Sequence, residues 1–288
     1  MTLREWLRQG SAQLNTGPHP EKARRDAETL LLHQTGENRA WLMTHLDDDL
    51  AGSGATDYEA LLDRRGKGEP IQYILGECEF YGMPFRVTPD VLIPRSETEL
   101  LVEKALQVLP AFDRGRTGCS PRVLDVGTGS GAIAISIAHD WPNAMVTAVD
   151  CSAAALQAAR SNAERLGFAE QIRFLEGDLL APVTGERFDL VVSNPPYVPA
   201  RDRDSIAVEV RDFEPAVALF AGDDGLSVYR RLIPASYEVL ARGGYLALEI
   251  GYGQADMVRD LLQTTGFEHV EFTSDLQGIL RVVTAQKS

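Results

Sequence analysis

Five short apolar runs, near 122 to 126, 145 to 149, 172 to 175, 188 to 192 and 244 to 250, are separated by stretches of helical character. A chain that alternates strand and helix in this way predicts an α/β fold around a parallel, Rossmann-like sheet. Phe188-Asp189-Leu190-Val191-Val192 is the most continuous of the runs and reads as a fully buried strand. Two further strands are expected at Phe267 to Phe272 and Ile279 to Ala285.

The first 76 residues have a different character. Thr2-x-x-Glu5 forms a capping box ahead of Leu3, Trp6, Leu7 and Leu14, and a second amphipathic helix starts at Pro20 and stops near Gly36. Shorter helical pieces are expected around Trp41 to Leu46 and Tyr58 to Arg64. Residues 1–76 therefore read as a small helical domain with too little core to be the catalytic unit. Residues 77–95 read as a β-hairpin linker turning at Gly82, and 96–288 as the larger domain. Ser96-Glu97-Thr98-Glu99 has the pattern of a second capping box opening a helix through Leu109, and Asp113 to Pro121 that of a surface loop.

Composition excludes some functions. The chain has 288 residues, 44% of them hydrophobic, without a membrane-length apolar run or the apolar core of a secretory signal, so a cytoplasmic protein is expected. Cys78, Cys119 and Cys151 are far apart and suggest neither disulfide nor zinc; no metal is expected. With 42 acidic against 28 basic side chains the net charge is −14, which opposes stable binding to a polyanion such as nucleic acid.

Two stretches carry chemistry. Val123-Leu124-Asp125-Val126 runs into the turn Gly127-Thr128-Gly129-Ser130-Gly131 and then a helix. Glycines let a backbone approach a ligand at a helix N-terminus, where free N–H groups point outward. The next strand ends in Asp150, placed to take ribose hydroxyls, and Gly177-Asp178-Leu179 offers a carboxylate and an apolar neighbour suited to an adenine. The second stretch is Ser193-Asn194-Pro195-Pro196-Tyr197, where consecutive prolines force a stiff, extended exit from the sheet. It brackets that exit with an amide and an aromatic ring at the strand end where open α/β sheets hold ligands.

The glycine turn fits dinucleotide binders, but Asp125 would repel a pyrophosphate and suits a cofactor carrying an ammonium and a sulfonium. Asp125-x-Gly127-x-Gly129-x-Gly131 resembles the first motif of class I S-adenosylmethionine methyltransferases, and Asn194-Pro195-Pro196-Tyr197 the signature of those acting on planar nitrogen. Gly68-Glu69-Pro70-Ile71-Gln72-Tyr73, Leu92-Ile93-Pro94-Arg95-Ser96-Glu97 and Val210-Arg211-Asp212-Phe213-Glu214-Pro215 extend the likeness over nearly the whole chain. Together they resemble the bacterial peptide chain release factor N5-glutamine methyltransferases; Ser96 departs from the second proline usual in that family.

The resemblance implies transfer of a methyl group from S-adenosylmethionine, leaving S-adenosylhomocysteine, to the glutamine amide of the Gly-Gly-Gln motif in class 1 release factors. Asn194, Pro195 and Tyr197 would act on the substrate amide, with Pro196, Phe80 and Arg95 on the substrate wall. Asp125, Gly127, Thr128, Gly129, Ser130, Gly131, Asp150, Asp178, Leu179 and Asn194 would hold the cofactor. The partner would be a release factor, with no membrane, met by a monomer. None of the five histidines lies near a motif, so no general base is expected. The alternative is an adenine N6 methyltransferase on DNA or RNA, which needs the same grip on a flipped base. A nucleotide-binding module without catalysis would not need Asn194 and Tyr197, and a nicotinamide dehydrogenase lacks hydride-transfer residues.

Overall fold

A computed structural model describes residues 1–50, 54–113 and 120–288; most of the loop expected from Asp113 to Pro121 lies outside them. The chain divides into two compact units, Met1–Glu77 with Ile206–Phe213, and Cys78–Ser205 with Glu214–Ser288.

In the helical unit, Leu3–Leu14 starts at the expected cap, where the Thr2 hydroxyl takes the Glu5 N–H and Glu5 returns a carboxylate to the Thr2 N–H. Ala23–Thr35 ends on Gly36 at φ 71°, a left-handed stop. These helices and Gly54–Gly66 close over Trp6, Leu30, Leu31, Tyr58 and Leu62, with Trp6 and Tyr58 edge to face at 6.1 Å. Gly10 permits this approach, because a Cβ there would meet the Tyr58 hydroxyl at 2.5 Å. Beneath lies a buried ion pair, Arg65 Nε to Asp26 at 2.7 Å. Glu209, from the segment that joins this unit late in the sequence, takes Arg65 at 3.1 Å and Lys22 at 3.0 Å. Burial alone would raise the Glu209 carboxyl, but Lys22 and Arg65 bring it below its ordinary value.

The larger unit opens, from Cys78 onward, with the hairpin β1 (Glu77–Phe80) and β2 (Met83–Arg86), whose turn residues Tyr81 and Gly82 both have positive φ. Seven strands follow: β3 (Arg122–Val126), β4 (Met145–Asp150), β5 (Ile172–Glu176), β6 (Phe188–Ser193), β7 (Leu240–Glu249), β8 (Phe267–Ser274) and β9 (Leu280–Lys287). They form one sheet in the order β5-β4-β3-β6-β7-β9-β8, parallel from β5 to β7, with β9 antiparallel to both its neighbours. Successive residues supply opposite faces: Val123, Leu190 and Val192 enter one core, Leu124, Val126 and Val191 the other. No helix among the described residues is long and apolar enough to cross a membrane.

One expected cap is absent. Arg95, not Ser96, occupies the N-cap of helix Ser96–Val108 without a side-chain bond, and Glu99 instead accepts from the Tyr81 N–H at 2.8 Å. The hairpin has outcompeted the capping box for the carboxylate.

Removing one member of a buried pair strands the other's charge, so Asp26→Ala is expected to cost about 3 kcal/mol in a denaturant titration followed by helical signal. A loss below about 1 kcal/mol, the scale of an exposed pair, would contradict the buried role.

Candidate active site

The direction in which successive strands are added reverses between β3 and β6, so the loops leaving these two strands diverge and leave a crevice. Asp125 stands opposite Val192 in the register, and the Ser193 hydroxyl donates to the Val126 carbonyl at 2.6 Å. This pins the start of the glycine turn beside the start of the Pro-Pro turn. Both contribute to one cleft with a volume of about 270 Å³.

Gly127, Gly129 and Gly131 have φ of 74°, 56° and 83°. A Cβ on Gly127 or Gly129 would meet nothing within 4 Å, so it is the left-handed backbone alone that favours glycine there; Gly131 is confined by Ile135 and Ala159 as well. Asp150 accepts from the Gly129 N–H and the Ser152 N–H, both at 2.9 Å, and so shapes the turn from the next strand. Ser152, not Asp150, caps the following helix.

Gly127, Gly129, Asp150, Asp178, Leu179, Asn194 and Pro196 all line the cleft. Leu179 does so at φ 50°, a sparsely populated conformation for a side chain with a Cβ. Asp178 is paired with Arg231 at the rim. Thr128, Ser130 and Gly131 complete the turn behind the wall. Asp125 lies beneath it, fully buried, with Oδ2 accepting from the Thr128 hydroxyl at 2.6 Å and no partner of normal geometry on Oδ1. Burial pushes its carboxyl up to about 7 against the lowering effect of Thr128 and, less, of the Ala134 N–H. The wall is largely apolar; its charged members are Asp90, Asp150 and Asp178, with Arg231 as the basic one.

The Asn194-Pro195-Pro196-Tyr197 turn is anchored from behind. Asn194 donates to the Thr98 hydroxyl oxygen at 3.1 Å, Thr98 donates to Glu249 at 2.7 Å, and the Tyr197 hydroxyl donates to the other Glu249 oxygen at 3.2 Å. Gln254 donates to the Tyr197 carbonyl at 2.9 Å. Burial raises the Glu249 carboxyl; the bonds from Thr98 and Tyr197 and the charge of Arg281 oppose it. Burial likewise raises the Tyr197 hydroxyl.

Four of the residues expected on the substrate side do not line the cleft. Phe80 is not on the cleft wall but in the core, edge to face with Phe85 at 6.0 Å, because the hairpin folds it inward. Arg95 is engaged by the buried carboxylate of Glu214. Tyr197 and Pro195 are not among the residues that line the cleft. Pro215, Val217, Ala218 and Phe220 supply wall that sequence reasoning missed, brought there by a bridge between Val198 and Phe220. It also missed Thr98, Glu249 and Gln254. Only the apolar strand ending in a charged Glu249 hinted at any of them.

The methyltransferase small domain model matches residues 98–217, and the PrmC N-terminal domain model residues 5–76. A methyltransferase from Pyrococcus furiosus has the same fold, at 17% identity, with a TM-score of 0.50 over 73% of this chain and 91% of that one. Fold and crevice together define a methyltransferase of this small-domain class. The release factor glutamine methyltransferase of Koribacter versatilis is 42% identical over 100% of this chain and 99% of its own. That of Burkholderia pseudomallei is 46% identical over 89% of each. The chain belongs to the release factor glutamine methyltransferase family.

Asp125 yields a pH test. Its raised native pKa means that the folded state holds a proton the unfolded chain gives up between the ordinary value of 3.8 and about 7. Its contribution to stability is therefore greatest at low pH and is lost as pH rises through about 7. The unfolding free energy of the wild type minus that of Asp125→Asn should fall steadily over that interval. A flat difference would contradict the buried, poorly compensated carboxyl.

Proposed function

We propose that this chain transfers the methyl group of S-adenosylmethionine to the side-chain amide nitrogen of the glutamine in the Gly-Gly-Gln motif of class 1 release factors. The observation that carries the reading is that Asn194 and the Gly127–Gly129 turn face one cleft at the reversal point of the sheet. The carboxylates of Asp90 and Asp150 on the wall, with the glycine cradle, fit a cationic donor better than a polyphosphate. Gly127, Gly129, Asp150, Asp178 and Leu179 would hold the cofactor, with Asp125, Thr128, Ser130 and Gly131 supporting the turn.

When bound, S-adenosylmethionine supplies a methyl group on a sulfonium, which leaves as a neutral thioether. An amide nitrogen is a poor nucleophile, since its lone pair is delocalised into the carbonyl. The Asn194 side-chain oxygen and the Pro195 carbonyl would accept from the glutamine NH2 and hold it in line with the methyl carbon. Positioning of this kind recovers roughly 7–11 kcal/mol of barrier. The same acceptors stabilise positive charge growing on nitrogen, by about 3 kcal/mol for a well-placed group. The amide proton then leaves to water. Tyr197, held by Glu249 and Gln254, stiffens the turn from behind. The helical unit would give the release factor a second contact, with the net negative charge speeding its approach.

With labelled S-adenosylmethionine, the wild type should label a release factor and leave an adenine-containing oligonucleotide unlabelled. Asn194→Ala should lower turnover by roughly 10²- to 10³-fold while S-adenosylhomocysteine binding, measured by calorimetry, stays close to wild type. Label in the oligonucleotide would overturn the substrate class, and normal turnover by Asn194→Ala would overturn the grip.

A further inference from the structure

We infer that Glu249 and Thr98 are positioning residues that decide which end of the Asn194 amide faces the substrate. The inference rests on the glutamine-methylating reading and deepens it. An asparagine amide has an accepting end and a donating end of nearly equal shape, so packing alone does not choose between them. Only the accepting end can take a substrate NH2. Reversed, Asn194 would present its own NH2 to the incoming NH2 and repel it.

The choice is made by a directional relay. Thr98, 4% exposed, has one hydroxyl proton and gives it to Glu249 Oε2 at 2.7 Å. Its oxygen is then left as an acceptor and takes the Asn194 Nδ2 at 3.1 Å. Nδ2 is thereby turned inward and Oδ1 is kept for the cleft that Asn194 lines. The relay runs one way because Glu249, 2% exposed, also accepts at Oε1 from the Tyr197 hydroxyl at 3.2 Å. Both carboxylate oxygens are acceptors and neither offers Thr98 a proton. Without Glu249 the Thr98 hydroxyl would be free to donate to the Asn194 oxygen and stabilise the reversed amide. Tyr229 fixes the origin of the relay, its hydroxyl donating to the Glu249 main-chain carbonyl at 2.8 Å. Glu249 thus orients both polar members of the turn, Asn194 through Thr98 and Tyr197 directly.

The test compares Thr98→Val, which keeps the branched shape and removes the hydroxyl, with Thr98→Ser, which keeps the hydroxyl. Steady-state methylation of a class 1 release factor is measured for each, with S-adenosylhomocysteine binding as the check on folding. Thr98→Val is expected to lower kcat by roughly 10- to 100-fold, the scale of a misplaced reacting group, with KM for S-adenosylmethionine unchanged. Thr98→Ser should recover most of that loss. Glu249→Met should lose kcat to a similar extent, and the double variant Thr98→Val with Glu249→Met should lose no more than either alone. If Glu249→Met does not fold, the Val and Ser pair still decides. Wild-type kcat in Thr98→Val, equal loss in Thr98→Ser, or additive losses would overturn the relay. Failure of the wild type to methylate the release factor would instead overturn the functional reading on which it rests.

Discussion

The site depends on the pairing of β3 with β6. Val123, Leu124 and Asp125 stand against Leu190, Val191 and Val192, and Ser193 is tied to the Val126 carbonyl, so the two strands end level with one another. The chain leaves one strand into a glycine turn and the other into Asn194-Pro195-Pro196-Tyr197. Their helices pass to opposite sides, which keeps the crevice open. Slipping this pairing by one residue would send the apolar side chains of β6 to the wrong cores and move Asn194 away from the turn. Core packing and the geometry of the candidate site are therefore enforced by the same register.

Around that crevice the polar groups are arranged in depth. The outer wall carries Asp90, Asp150 and Asp178, while Asp125 and Glu249 lie buried behind it. Each buried carboxylate has a hydroxyl from a threonine, Thr128 or Thr98, and each braces one of the two turns. Burial raises the pKa of both. Keeping such groups costs stability, and in the proposed site the return would be two braced backbone turns.

Much of this was legible in the sequence because it is local. The glycine spacing, the paired prolines and the apolar runs each determine their own conformation, and the sheet follows from their alternation. Thr98 and Glu249 were hidden because they are 151 residues apart and meet only once the sheet is built. The same holds for Glu209, which is set in the helical unit by Lys22 and Arg65, far earlier in the chain. Ser96 shows the converse: a good local capping pattern gave way because Glu99 found the Tyr81 N–H. Phe80 carries an aromatic ring suited to a wall, yet the turn at Tyr81 and Gly82 directs it into the core against Phe85.

The central proposal is geometric: a stiff turn would present two oxygen acceptors to a flat NH2 group across from the glycine turn. A crystal structure of the chain with S-adenosylhomocysteine and a Gly-Gly-Gln peptide tests it most directly. The account predicts the glutamine NH2 within hydrogen-bond distance of both Asn194 Oδ1 and the Pro195 carbonyl, with its nitrogen facing the cofactor sulfur and the Asn194 NH2 still on Thr98. A glutamine bound away from residues 194–197, or a cofactor bound away from Gly127 and Gly129, would contradict it.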